Sequence, residues 1–163
     1  MNPTIARPDE SKEFSTAERC SILEVWNNAS DPGASIARAR VAPGITTQPH
    51  RLHGVVERYV IVEGSGFVRI GDSIEKAVAP GDIVVIPAEV TQQITNTGGS
   101  DLVFYCICSP RFTPECYESL ERLPGLEPEI QRALPGLREV LVAFLGFLLR
   151  ETALPEPRSV TSS

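Results

Sequence analysis

The sequence predicts an all-β barrel or sandwich followed by C-terminal helices. Three observations carry that prediction. Short runs rich in Val, Ile and aromatic residues recur between Cys20 and Ser109, with Gly and Pro between them, the rhythm of many short antiparallel strands. After Pro110 the pattern changes to helix caps, proline stops and longer apolar runs. The chain has 163 residues, 42% hydrophobic and 22% charged, which suits one globular domain with a real core.

The elements follow in order. Residues 1–18 are polar and read as an arm, and residues 19–112 as the barrel. The first strand is Ile22 to Trp26. Ser35 to Val41 is the second, and its Arg38 and Arg40 share one face; outward they meet solvent or another subunit, inward they would clamp an anion. Pro43-Gly44 is a turn. Strands follow at Tyr59 to Glu63, Phe67 to Ile70 and Glu75 to Val78, with turns at Gly64-Ser65-Gly66 and Gly71-Asp72. Ile83 to Ile86 is continuously apolar, which predicts a strand buried on both faces. Gln92 to Asn96 and Leu102 to Cys108 complete the set. In the last strand Tyr105 lies opposite Cys106 and Cys108.

The extension spans residues 113–152. Thr113 as N-cap, Pro114 at the first helical position and Glu115 in the first turn predict a helix to about Arg122. Arg111 and Phe112, where the chain leaves the last strand, either cover a barrel mouth or pin this helix. Residues 127–134 and 136–151 predict two more. The run at 140–149 is apolar on every side, so it packs on the barrel and a subunit partner, closes the barrel mouth, or meets a lipid surface. Residues 153–163 read as a disordered tail.

Charge and composition exclude some classes. A net charge of -6 and a pI near 5.0 argue against a nucleic-acid partner. No run approaches the roughly 18 apolar residues of a membrane span, so no integral membrane protein is expected. The polar first fourteen residues lack a signal-peptide core, which leads to a cytoplasmic expectation. The four cysteines (Cys20, Cys106, Cys108, Cys116) form no zinc or redox pattern and read as buried thiols.

Both histidines of the chain fall in one stretch, Gly44 to Tyr59. Gly44, five residues, His50, then Leu52, four residues, Glu57, six residues and Gly64 follow one spacing. Gly81, five residues, Pro87, then Glu89, Gln92 and Asn96 follow a second. In these two motifs, between about Ser35 and Ser109, the chain resembles the cupin superfamily of jelly-roll β-barrels. The resemblance implies a metal-binding barrel that acts on a small molecule and is often a homodimer. Its usual metal set is three His and one Glu. Position by position this becomes His50, Leu52, Glu57 and Gln92. Leu52 cannot bind a metal, and Gln92 is a weak donor that suits hard cations.

His53 can restore the ligand count if a bulge at Gly54 shifts the strand. Three arrangements stand open: His50 inward with His53 at the rim, the converse, or both at one metal on a distorted strand. The implied cofactor is one divalent transition metal (iron, manganese, nickel, copper or zinc) or none. The expected metal ligands are His50, Glu57, Gln92 and His53, and the expected catalytic residues Glu57 and Tyr59. Glu57 would act as a base if it is not ligated, and Tyr59 would orient substrate or fill the core. Two functions follow. One is a metal-dependent enzyme performing dioxygenation, isomerisation or cyclisation. The other is a metal-free barrel that binds or senses a small ligand.

Overall fold

A computed structural model describes residues 3–121. The arm is not featureless. A 3-10 turn over Glu10–Lys12 starts at Asp9, whose side chain accepts from the Ser11 amide. Phe14–Ser15 (β1) then pairs with Ser21–Trp26 (β2). The remaining strands are Ser35–Val41 (β3), His50–Leu52 (β4), Val56–Glu63 (β5), Gly66–Ile70 (β6), Ile74–Val78 (β7), Ile83–Ile86 (β8), Gln92–Asn96 (β9), Leu102–Ser109 (β10) and Tyr117–Ser119 (β11).

They form two sheets. One has the order β1-β2-β3-β10-β5-β8 and the other β11-β4-β9-β6-β7. Every pairing is antiparallel. This is the two-sheet jelly roll that the alternating runs predicted. The core lies between the sheets. β5 and β9 show the alternation most cleanly: Glu57, Tyr59 and Ile61 of β5 and Gln92, Ile94 and Asn96 of β9 are buried. Phe104 from β10 packs on Tyr59 with ring centroids 4.6 Å apart. A smaller cluster of Leu52, Val55, Cys108 and Cys116, covered by Phe112 and Tyr117, closes one end.

Two motif residues outside the chemistry explain their own positions. Gly64 turns with φ +78°, and a Cβ there would meet the Asp101 carbonyl at 2.5 Å; only glycine fits. Asn96 ties strand ends together, donating to the carbonyls of Val41 and Ser100 at 2.8 Å each and accepting from the Gly98 amide at 2.9 Å.

Three expectations need correction. The helix from Thr113 to Arg122 does not form among the described residues. Thr113 has extended backbone and makes no capping bond, and a single 3-10 turn at Pro114–Cys116 gives way to β11. Tertiary pairing wins: Tyr117, Glu118 and Ser119 find ladder partners in Leu52, Arg51 and His50. Arg111 and Phe112 therefore pin no helix; they tie the exit from β10 to the β2–β3 side, through Asn27, Pro32 and Ser35. The expected helices at 127–134 and 136–151, and the tail, lie outside the described residues.

The second correction concerns β8. It is buried on one face only, because it is the edge of its sheet: Val84 and Ile86 are buried while Ile83 and Val85 are 64% and 54% exposed. The third concerns the histidine stretch. It is not one strand. β4 belongs to one sheet and β5 to the other, and the chain crosses between them at residues 53–55. Arg38 and Arg40 face outward, where Glu10, Glu13 and Asp101 neutralise them.

Candidate functional site

The crossing at residues 53–55 resolves the His-x-x-His spacing. His50 and Leu52 of β4 both point inward and are buried. The turn at Gly54, with φ +68°, throws His53 to the surface. There its Nδ1 lies 2.6 Å from Glu89 Oε2 and its Nε2 2.8 Å from Glu118 Oε2. His53 thus bridges Glu89 and Glu118 at the rim and stands apart from His50, the first of the three expected arrangements. Glu89 stands where the motif usually has glycine, and it keeps the left-handed backbone, φ 68°. Its carboxylate repays that strain by accepting from the Gly54 amide at 2.9 Å. That contact, followed by the one from His53, holds the Glu89 carboxyl below the usual range.

Three of the expected residues meet in the interior. The β-ladders dictate it: His50 lies beside Gln92 in one sheet, and Glu57 lies beside Cys108 and Ile86 in the other. Across the sheets, Gln92 Nε2 donates to Glu57 Oε2 at 2.7 Å. Tyr59, two residues on and on the same face, donates its hydroxyl to Gln92 Oε1 at 2.8 Å. The chain Tyr59–Gln92–Glu57 therefore fixes the amide: oxygen toward the phenol, NH2 toward the carboxylate. Gln92, Tyr59, His50 and Glu57 are all buried.

Burial pushes the Glu57 carboxyl up, against the opposing pull of His50 and of the Gln92 hydrogen bond. Cys108 Sγ donates to Glu57 Oε1 at 3.7 Å, and burial raises that thiol as well. Burial likewise raises Tyr59 far above the usual phenol range. His50 Nδ1 lies 3.0 Å from the Gln48 carbonyl. A carbonyl only accepts, so Nδ1 is the donor of this bond.

Sequence reading missed three neighbours. Glu18 Oε2 stands 3.6 Å from His50 Nδ1. Tyr117 stacks on His50, ring centroids 5.1 Å apart. Gln48 accepts from His50 Nδ1. Gln48 lies in the variable spacer between Gly44 and His50, and the other two lie outside both motifs. Tyr117 belonged to a predicted helix and Glu18 to a predicted arm, so nothing local signalled them. A separate cleft of about 280 Å³ between β7 and β8, lined by Ile74, Lys76, Val78 and Val85 among others, holds none of these groups.

The donor set does not fit a resident transition metal. Among the described residues no three His, Cys, Asp or Glu side chains converge as a metal group. The third donor would be Gln92, yet its oxygen accepts from Tyr59 and its NH2 faces Glu57. An NH2 is no ligand, and inverting the amide would set its oxygen against the Glu57 carboxylate.

Comparison with known proteins agrees with the fold. The family model of the cupin domain matches residues 37–108. The uncharacterized protein MJ1618 of Methanocaldococcus jannaschii is 30% identical over 115 residues, 69% of this chain and 91% of that protein. The chain belongs to the cupin superfamily. Its cupin fold is shared with KdgF from Halomonas sp., at TM-score 0.59 and 17% identity over 67% of this chain and 96% of that one. It is also shared with Streptomyces PAC13, solved with uridine, at TM-score 0.62 and 16% identity over 76% and 94%. At these identities the likeness concerns fold alone. This cupin keeps the motif glycines, His50, Glu57, Pro87 and Asn96, and departs at Leu52, Glu89 and Gln92. Among the described residues no helix is long and apolar enough to cross a membrane.

Proposed function

We propose that this cupin binds a small polar molecule against Glu57 and His50 and moves a proton on it, as an isomerase or lyase that needs no resident metal. The observation that carries this reading is the Tyr59–Gln92–Glu57 hydrogen-bond chain. It spends the Gln92 amide on holding a carboxyl group, which is what acid–base chemistry requires and what metal ligation does not.

The roles follow from the geometry. Glu57 is the acid or base; burial raises its proton affinity toward neutral pH, where such a group transfers protons best. His50, whose Nδ1 is bonded to the Gln48 carbonyl, is oriented by that bond to contact the bound molecule. Gln92 and Tyr59 position Glu57. The substrate class is a small carbonyl compound with an acidic C–H. Cytoplasmic location and action as an enzyme belong to this same proposal.

The test has two arms. Protein purified without chelator or metal column is analysed for metals, and a panel of ketoses and sugar acids is incubated with it in D2O. We expect below about a tenth of an equivalent of metal per chain, and deuterium incorporation that Glu57→Gln abolishes. About one equivalent of a transition metal, lost in both His50→Ala and Glu57→Ala, would replace this reading with the metalloenzyme one. Ligand binding with no exchange of any compound would leave a binding module.

A further inference from the structure

β7 and β8 are edge strands, one in each sheet, and each has one ladder partner among the described residues. A turn closed by the Asp82 amide on the Ala79 carbonyl joins them. They form the two lips of one side of the sandwich, and the cleft of about 280 Å³ lies between them. Register sets its lining. Ile74 and Lys76 of β7 stand opposite Ile70 and Val68 of β6. Opposite residues of an antiparallel pair share a face, and Ile70 and Val68 are buried in the core. Ile74 and Lys76 therefore face the gap between the sheets. From the other lip come Val84, which is buried, and Ile83, which is exposed. The floor of the cleft is apolar core left open at its edge, as in a ligand groove.

Its charges select the occupant. On the outer face of β7, Glu75 is paired with Arg69. Asp82, at the turn, accepts from the Ala79 amide at 2.8 Å. Lys76 differs from both: it makes no hydrogen bond or ion pair among the described residues. A lysine facing inward from an edge strand deters a further strand from adding there, so an extended peptide is a poor occupant. An ammonium on a flexible alkyl stem beside open apolar surface complements a molecule with an anionic head and an apolar tail. The cleft is small. At about 30 Å³ for each water-sized group it takes about nine of them, the bulk of a medium-length alkyl chain.

We propose that the β7–β8 cleft binds a free medium-chain carboxylate, with its tail on Val68, Ile70 and Val84 and its head on Lys76. The site lies apart from Glu57 and does not depend on the chemistry proposed there.

Isothermal titration calorimetry of the full chain with hexanoate, octanoate and decanoate, each below its micelle concentration, is the test. One site per chain is expected, tightening by about threefold for each added methylene. Lys76→Gln should weaken decanoate about fivefold. Lys76→Glu should weaken it roughly tenfold or more and admit decyltrimethylammonium, which the wild type binds poorly. Circular dichroism of each variant checks that the fold is intact. Failure of decanoate to bind would overturn the proposal, and so would binding indifferent to both Lys76 substitutions. Binding that Glu57→Gln weakens and Lys76→Glu spares would place the carboxylate in the barrel interior and overturn it too. Retention on phosphatidylglycerol vesicles without binding of free decanoate would overturn it in favour of a membrane contact.

Discussion

Glu57 concentrates the energetics of the site at the scale of one residue. A carboxyl group between two sheets is costly when ionised. Its neighbours, the Gln92 NH2, the Cys108 thiol and His50, offset only part of that cost. The folded protein therefore holds its proton to higher pH than the unfolded chain does. Stability from this group is complete below the ordinary carboxylate range and is lost as pH rises through the raised folded value. Urea unfolding from about pH 5 to 8 should show Glu57→Gln gaining on the wild type as pH rises. A constant difference across the series would contradict the raised proton affinity. Tyr59→Phe, by contrast, strands Gln92 Oε1 in the core at every pH. It should cost about 1–3 kcal/mol in the same experiment.

At the scale of an element, β11 decides how the site is closed. It is three residues long, and among the described residues β4 is its one ladder partner. Yet it lays Tyr117 over His50. What holds it is a rim of charge: Glu118 accepts from Arg51 Nε at 2.7 Å and from His53 Nε2 at 2.8 Å. Arg51 first, and then His53, keeps the Glu118 carboxyl below the usual range. A depressed carboxyl contributes stability that is present above its ordinary range and is lost as pH falls through the depressed value, so acid loosens this strand. Glu118→Gln should do so at neutral pH. Two amides report it: Leu120, bonded to the Pro49 carbonyl at 2.8 Å, and His53, bonded to Cys116 at 2.7 Å. Hydrogen exchange at both should speed up several-fold, while the β5 amides keep their protection. Equal acceleration everywhere would mean that the substitution acts on the whole fold and not on β11.

At the scale of the whole molecule, the four cysteines are free and wholly or partly buried. No disulfide links them. Burial pushes Cys20 up to about 11 and raises Cys106, Cys108 and Cys116 as well. Thiolates are the reactive form, so a folded barrel withholds them. A thiol reagent near pH 8 should label less than about one cysteine in the native protein over minutes, and all four after denaturation. Rapid labelling of two or more in the native state would mean that the barrel opens near Glu57.

Much of this architecture was legible in the chain. Alternation with Gly and Pro punctuation is a local signal, so the strands and the cupin motifs were readable. So was the pairing of Cys106 with Cys108 on one face, because strand alternation is geometry. Motif spacing brought His50, Glu57 and Gln92 forward as candidates but left open whether His50 or His53 faces inward. Other features depended on partners far away in sequence. Thr113-Pro114-Glu115 has the caps of a helix, but the β4 edge offered Tyr117 to Ser119 a ladder that local propensity does not register. The apolar run Ile83 to Ile86 looks buried on both faces; only its place at a sheet edge exposes Ile83 and Val85. The two histidines part because the chain changes sheets between them, and Glu18 and Tyr117 reach His50 through loop and edge contacts. By itself the sequence determined which residues alternate, turn and face the core, because those properties act over two to four neighbours. The tertiary structure alone decided which sheet each strand joins, which way the Gln92 amide points and what Glu57 touches, because those depend on contacts between residues some thirty-five positions apart.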